Sequence, residues 1–302
     1  MDIPGLPARR AALRMLDGVL HRGDTLDQVA HGALQGIRGE ADRALAKALA
    51  AEALRWLTDL DLLIDSATRL RLADDAKVRS VLRLMLVGWL RLETPPHAII
   101  ATGLPLLAGG PRRLAHGVFS TLTKNAVGLP AAPSLPAAVA ERWGDRVPDI
   151  AAALALPPPL DLSLRDAAET ERWTQELGGI SLMPGHVRLP RGEAVEKLAG
   201  FKEGAWWVQD LAASLPARLL GAGAGPDGQA RRVLDLCSAP GGKTLQLAAA
   251  GWQVTALDVS DKRLARVREN LERTGLSARI VVADALKWEP EAPFDAVLLD
   301  AP

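Results

Sequence analysis

The sequence predicts a multidomain chain: an all-α bundle, then a small α+β domain, then the opening part of a doubly wound α/β domain. Three observations predict it. Apolar residues recur at helical spacing from Leu6 to about Val127, prolines cluster at 130–136 and 157–159, and from Arg232 onward strand-like and helix-like segments alternate.

In the first segment Leu45, Leu49, Ala53 and Leu57 fall at four-residue steps, and Leu82, Met85, Leu86, Trp89 and Leu90 lie on one helical face. Asp24 and Thr25 read as a cap, Thr94-Pro-Pro-His97 as the break between two helices, and Ala108-Gly-Gly-Pro111 as another. Trp56 and Trp89 sit on the apolar stripes and are expected in the core. Pro130, Pro133 and Pro136 mark a boundary, with a short helical piece at about 134–156 before Pro157-Pro-Pro159. Leu160–Arg165 alternates with period two, Asp166–Leu177 reads as a helix, and His186–Leu189 and Ala205–Val208 read as short strands. The expected domains are therefore residues 1–133, 134–205 and 206–302.

A helix over Leu211–Leu220 and a glycine-rich loop at 221–228, read as flexible, lead into the last domain. Its expected elements are strand Val233–Leu236, helix Lys243–Ala250, strand Gln253–Asp258, helix Lys262–Thr274, strand Arg279–Val282 and strand Ala296–Leu299. This alternation implies a parallel sheet with right-handed crossovers. With four strands it reads as incomplete, its last strand an unprotected edge.

Thirty-six basic and thirty-six acidic residues give zero net charge, so the global balance announces no nucleic-acid partner. The distribution says more: residues 1–130 carry four more basic than acidic side chains and residues 131–302 four fewer. Within 76–130, Lys77, Arg79, Arg83, Arg91, Arg112, Arg113 and Lys124 face Glu93 alone as an acid, a basic stretch that could attract phosphate. One cysteine, Cys237, rules out an intramolecular disulfide and a cysteine zinc site and fits a reducing compartment. Arg9, Arg10, Arg14 and Asp17 interrupt the first residues, and no apolar run reaches the roughly 18 residues of a membrane span. A cytoplasmic protein without membrane insertion is expected. His97 and His116 lack partners at metal-ligand spacing, so no metal site is expected.

Asp235, the Pro240-Gly-Gly-Lys243 turn, Asp258, Asp284 and Asp300 all fall at carboxyl ends of the expected parallel strands, where such sheets bind ligands. A phosphate-binding loop of the G-x-x-x-x-G-K-T kind would need glycine where Cys237 stands. A dinucleotide fingerprint is disfavoured because Pro240 removes a backbone donor where a pyrophosphate wants one. S-adenosylmethionine needs an approachable backbone, an acid for the ribose hydroxyls and a polar group for the adenine. Gly241, Gly242, Asp258 and Asp284 supply them. Asp235 and Asp295 have an equally good reading as caps of neighbouring turns.

The segment Asp235-Leu-Cys-Ser-Ala-Pro-Gly-Gly-Lys-Thr244, followed by Phe294-Asp-Ala-Val-Leu-Leu-Asp-Ala-Pro302, resembles the RNA cytosine-C5 methyltransferases. Trp207-Val-Gln-Asp210 resembles the segment preceding their cofactor domain. Asp42-Arg-Ala-Leu45, Leu54-Arg-Trp-Leu57, Pro95-Pro-His-Ala98 and the helix 115–125 resemble the NusB-like domain of the bacterial 16S rRNA branch, the Sun/Fmu type.

The resemblance implies a NusB-like RNA-binding bundle, a small α+β domain and a Rossmann-like catalytic domain. It implies that Cys237, Ser238, Ala239, Pro240, Gly241, Gly242 and Lys243 line the methionine and ribose side of the cofactor. Asp258 would hold the ribose hydroxyls, Asp284 would lie near the adenine, and Asp300 would touch the cofactor and face the target base as the catalytic acid. The implied partner is 16S rRNA, with no DNA expected; oligomeric state is unread. In this family a cysteine beyond the Asp-Ala-Pro motif attacks C6 of the cytosine, and Cys237, in the cofactor turn, is no substitute. The chain as given therefore looks truncated and is expected to lack turnover. The competing reading is a non-catalytic, antitermination-like RNA-binding module that uses the basic stretch, with a vestigial cofactor half.

Overall fold

The computed structural model describes residues 3–190, 194–225 and 228–301; Pro302 of the terminal motif and Pro226 and Asp227 of the glycine-rich loop lie outside them. The chain divides into two compact units, residues 1–157 and 158–302.

The first unit is helical: α1 (Leu6–Arg22), α2 (Leu26–Ala33), α3 (Glu40–Arg55), α4 (Leu57–Ser66), α5 (Lys77–Leu90), α6 (Pro96–Gly103), α7 (Gly109–Lys124), α8 (Ala137–Trp143) and α9 (Val147–Leu154). Thr25 caps α2 in a reciprocal box with Gln28, and Pro96 opens α6. The central helix is α5, buried without interruption from Val78 to Gly88, with α1, α3, α4, α6 and α7 packed around it. Trp56, Phe119, Met15, Leu49, Leu60 and Leu82 are among the fully buried side chains of this core.

A helix buried on every side must neutralise its charges internally, and this corrects the basic stretch read from the sequence. Arg79 donates to both carboxylate oxygens of Asp65 (2.6 and 2.9 Å), and Arg83 to both of Asp61 (2.8 Å each). Arg91 pairs with Glu52 at 3.2 Å and stacks on Trp56. The acids that answer these three cations come from α3 and α4, upstream of the window in which only Glu93 was visible. Segment 134–157 packs with the same unit: Ser134 N–H donates to buried Asp59 at 2.8 Å, and Arg91 donates to Ala155 O at 3.4 Å. The units thus part at 157/158, within the second proline cluster, whereas the expected domains divide at 133/134 and 205/206.

The second unit holds two sheets. β1 (Leu160–Leu164), α10 (Thr170–Glu176), β2 (His186–Leu189) and β3 (Trp206–Val208) form an antiparallel sheet of order β2-β1-β3, with Leu162, Val187 and Trp206 packed on Trp173. On β1 the alternate residue Asp161 is buried and accepts from Arg188 Nε and Nη2 (2.7 and 2.8 Å) and from Leu211 N–H (3.0 Å). α11 (Leu211–Leu219), β4 (Arg232–Leu236), α12 (Gly242–Ala249), β5 (Gln253–Asp258), α13 (Asp261–Thr274), β6 (Arg279–Val282) and β7 (Ala296–Leu299) build the parallel sheet of order β6-β5-β4-β7. Ala217 of α11 and Leu247 of α12 cover Val233, Val254 and Leu298, and Leu264, Val267 and Leu271 of α13 pack with Trp207 and Leu245.

The two sheets meet at Gly204. A Cβ there would lie 2.0 Å from the carbonyl oxygen of Arg273, and its φ of +64° is one that glycine tolerates. Arg273 in return donates to Phe201 O (2.7 Å) and Trp206 O (3.0 Å). The described part of the glycine-rich loop is pinned, not free: Gly223 N–H donates to Ala250 O and Gly223 O accepts from Arg231 N–H, both at 2.8 Å. Val297 and Leu299 of β7 are exposed.

Candidate active site

Strand β4 carries Asp235 near its end and passes from Leu236 into α12 through a turn with two left-handed residues, Cys237 at φ +58° and Gly241 at φ +107°. Left-handed φ is ordinary for Gly241 and costly for Cys237, so the turn stores strain at the carboxyl edge of the sheet. The turn floors a cavity of about 410 Å³, lined by Cys237, Ser238, Ala239, Pro240, Gly242 and Lys243. Asp235 and Asp300 complete the floor, and Trp207, Gln209 and Asp210 form a wall.

Lys243 Nζ donates to Asp300 Oδ2 at 2.6 Å, joining the start of α12 to the end of β7. Asp235 is fully buried; its Oδ2 accepts from Thr244 Oγ1 at 2.5 Å, while its Oδ1 has no partner, and neither has the buried hydroxyl of Ser238. Burial pushes the Asp235 carboxyl up to about 6, with Asp300 adding to the rise and Thr244 and Lys243 opposing it. The floor thus combines the ammonium of Lys243, the carboxylates of Asp235 and Asp300 and two unanswered polar atoms, and the wall adds the carboxylate of Asp210.

The remaining expected residues do not line this cavity. Gly241 sets the turn and packs on Val267 without lining the space. Asp258, at the end of β5, is buried, its oxygens accepting from Ala239 N–H (3.3 Å) and Ser260 N–H (2.9 Å), with Arg263 Nη1 3.7 Å away. Asp284, after β6, accepts from Leu286 N–H at 3.0 Å and lies 3.6 Å from Lys287 Nζ. Asp295 accepts from Arg232 N–H at 2.7 Å, a bond that fixes the start of β4.

Two groups of lining residues carried no role in the sequence reading. Gln209 accepts from Trp207 Nε1 (2.9 Å) and donates to Gln246 (3.1 Å), which fastens the wall to α12. Arg266, Asn270 and Arg273 of α13 also line the cavity. Their i, i+4, i+7 spacing was visible, but a polar stripe on an amphipathic helix reads equally well as solvated surface.

Comparison with known proteins agrees with this geometry. The family model for 16S rRNA methyltransferase RsmB/F matches residues 226–302, and the NusB family model matches residues 6–106. Ribosomal RNA small subunit methyltransferase B of Xanthomonas campestris pv. campestris is 31% identical over 326 residues, covering 99% of this chain and 73% of the relative. The protein of the same name from Pseudomonas putida is 33% identical, covering 97% and 73%. The crystal structure of PH0851 superposes on the whole chain and on 75% of its own with a TM-score of 0.67; at 20% identity it speaks for the fold. Among the described residues no helix is long and apolar enough to cross a membrane. Relatives above 30% identity align with nearly the whole sequence, from the NusB-like bundle to the turn between β4 and α12, and the chain belongs to the ribosomal RNA small subunit methyltransferase B family.

Proposed function

We propose that this chain binds S-adenosylmethionine at the turn between β4 and α12 and serves methylation of C5 of a cytosine in 16S rRNA, in the cytoplasm. The observation that carries the reading is the paired Lys243 and Asp300 in a cavity whose floor also holds unanswered polar atoms. An α-amino acid end brings one carboxylate and one ammonium, the complement of that pair. A phosphate would instead meet the carboxylates of Asp235 and Asp300. Bound S-adenosylmethionine supplies an electrophilic methyl group.

Lys243 would hold the carboxylate of the cofactor, and Cys237 to Gly242 would present backbone to it. Asp258 has lone pairs left for ribose hydroxyls, because two N–H bonds use about half of a carboxylate's acceptor sites. Asp284 would lie toward the adenine. Asp300 would face the base and stabilise the cytosine once a thiolate has added to C6. Cys237 is assigned to the cofactor turn and not to attack on the base. Exposed Arg112, Arg113 and Lys124 on α7 keep a basic surface in the helical unit for RNA, and no DNA partner is assigned. The burial of Arg79 and Arg83 in ion pairs, and the pairing of Arg91 with Glu52, remove much of the ground for a non-catalytic RNA-binding module.

Calorimetric titration with S-adenosylhomocysteine tests the reading. The full chain should bind, and Lys243→Met and Asp258→Ala should each weaken binding about tenfold or more, the worth of a charge-assisted hydrogen bond. A folded chain that ignores S-adenosylhomocysteine refutes the cofactor assignment, and methyl transfer to 16S rRNA by this polypeptide refutes the assignment of Cys237.

A further inference from the structure

A second cavity, of about 280 Å³, lies where β1 of the antiparallel sheet meets α11 and α12. Ser163, Arg165, Gly185, Arg218, Gln246 and Ala250 are among its lining residues, and no Asp or Glu is. It is a cation-only cavity in the half of the chain where acids outnumber bases.

Among the described residues neither guanidinium group has a counter-ion. Arg218 donates to Ser214 Oγ (3.2 Å), Pro184 O (2.8 Å) and Gly185 O (3.5 Å), and burial alone lowers its pKa. Arg165 donates from Nη1 to Thr274 O at 3.0 Å. A guanidinium carries five N–H donors, so both keep some in reserve. Ser163, paired with His186 across β1 and β2, is 3% exposed, and its hydroxyl has no partner. A half-buried cation such as Arg218 without an anion and a buried hydroxyl without a partner are each unfavourable, and one oxyanion would satisfy both, with exposed Arg165 at the rim supplying further donors.

We propose that this cavity binds a phosphodiester group of the RNA substrate, a backbone contact separate from the cofactor cavity. The proposal rests on the reading of RNA as substrate. Arginine suits the role because its planar fork matches two phosphate oxygens at once. Gln246 connects the two cavities: its Oε1 accepts from Gln209, in the wall of the first, while its own side chain lines the second. From Lys243 to Ala250 the helix advances about 10 Å, so a strand held at the second cavity is registered against the first by the rigid body of α12. Such a contact fixes the position of the RNA and reads no sequence.

The test is fluorescence anisotropy of the full chain with single-stranded oligouridylate over a series of KCl concentrations, with S-adenosylhomocysteine titrated in parallel. Arg165 is exposed, so Arg165→Gln leaves the fold in place. It should weaken oligouridylate binding and lower the slope of log affinity against log salt by about one, with S-adenosylhomocysteine affinity unchanged. Arg218→Gln should act in the same direction. Oligouridylate binding with unchanged affinity and slope in both variants overturns the proposal and leaves the RNA reading standing. A wild-type chain that binds no oligouridylate overturns both. If inorganic phosphate stabilises the wild type against heat and not Arg165→Gln, while oligouridylate binds both alike, the ligand is a free anion and the assignment to RNA fails.

Discussion

Asp235 is held where its charge is least welcome: fully buried, one oxygen unanswered, and close enough to Asp300 to feel its repulsion. A folded-state pKa of about 6, above the unfolded value of 3.8, means the folded chain holds this proton more tightly. The group therefore contributes stability below about pH 4 that is lost as pH rises through about 6. Asp235→Asn should remove that part of the pH dependence, raising stability near neutrality by at most about 3 kcal/mol, as urea denaturation on either side of the transition would show. A variant with the wild-type pH profile would refute it. The sequence left Asp235 open between ligand and cap because burial is a property of the packed sheet. Cys237 was legible as a turn residue, but its left-handed backbone was not, since nothing in Leu-Cys-Ser announces a positive φ.

Helix α5 shows at the level of an element what periodicity can and cannot reveal. Its apolar stripe was plain, but Arg79 and Arg83 looked like solvated charges because their partners Asp65 and Asp61 precede them by fourteen and twenty-two positions. Charge counted in a window is blind to a neighbouring helix. Arg83→Ala should destabilise the helical unit by about 3 kcal/mol, as expected when one partner of a largely buried pair is removed, and leave RNA affinity unchanged. Thermal melting with oligouridylate anisotropy checks both; a stable variant with weakened RNA binding would restore the basic face. The parallel strands fared better, each read to within a residue or so, because short apolar runs between glycine turns and helical repeats leave little choice. Their order, and the folding of Trp207–Asp210 against the cofactor turn, come from tertiary pairing that no local pattern encodes.

For the molecule as a whole the decisive fact is its division at 157/158, with the antiparallel sheet in the same unit as the parallel one. Proline clusters marked flexible-looking joints, but Ser134 is fastened to Asp59, and Trp206 and Trp207 belong at once to a strand of the small sheet and to the neighbourhood of α13. Gly204 is where that arrangement is tightest. Gly204→Ala cannot be accommodated without moving backbone from backbone, so calorimetry should show the transition of the second unit shifted down while that of the first stays in place. An unchanged thermogram would mean the contact is slack. The consequence reaches beyond stability. With α13 wedged against the small sheet, strand β1 and the helix behind the cofactor turn open and close as one cooperative block. The amide hydrogens of Leu162 and Leu164 should then exchange with deuterium on the same slow schedule as those of Leu264 and Leu271, although a hundred residues separate them along the chain.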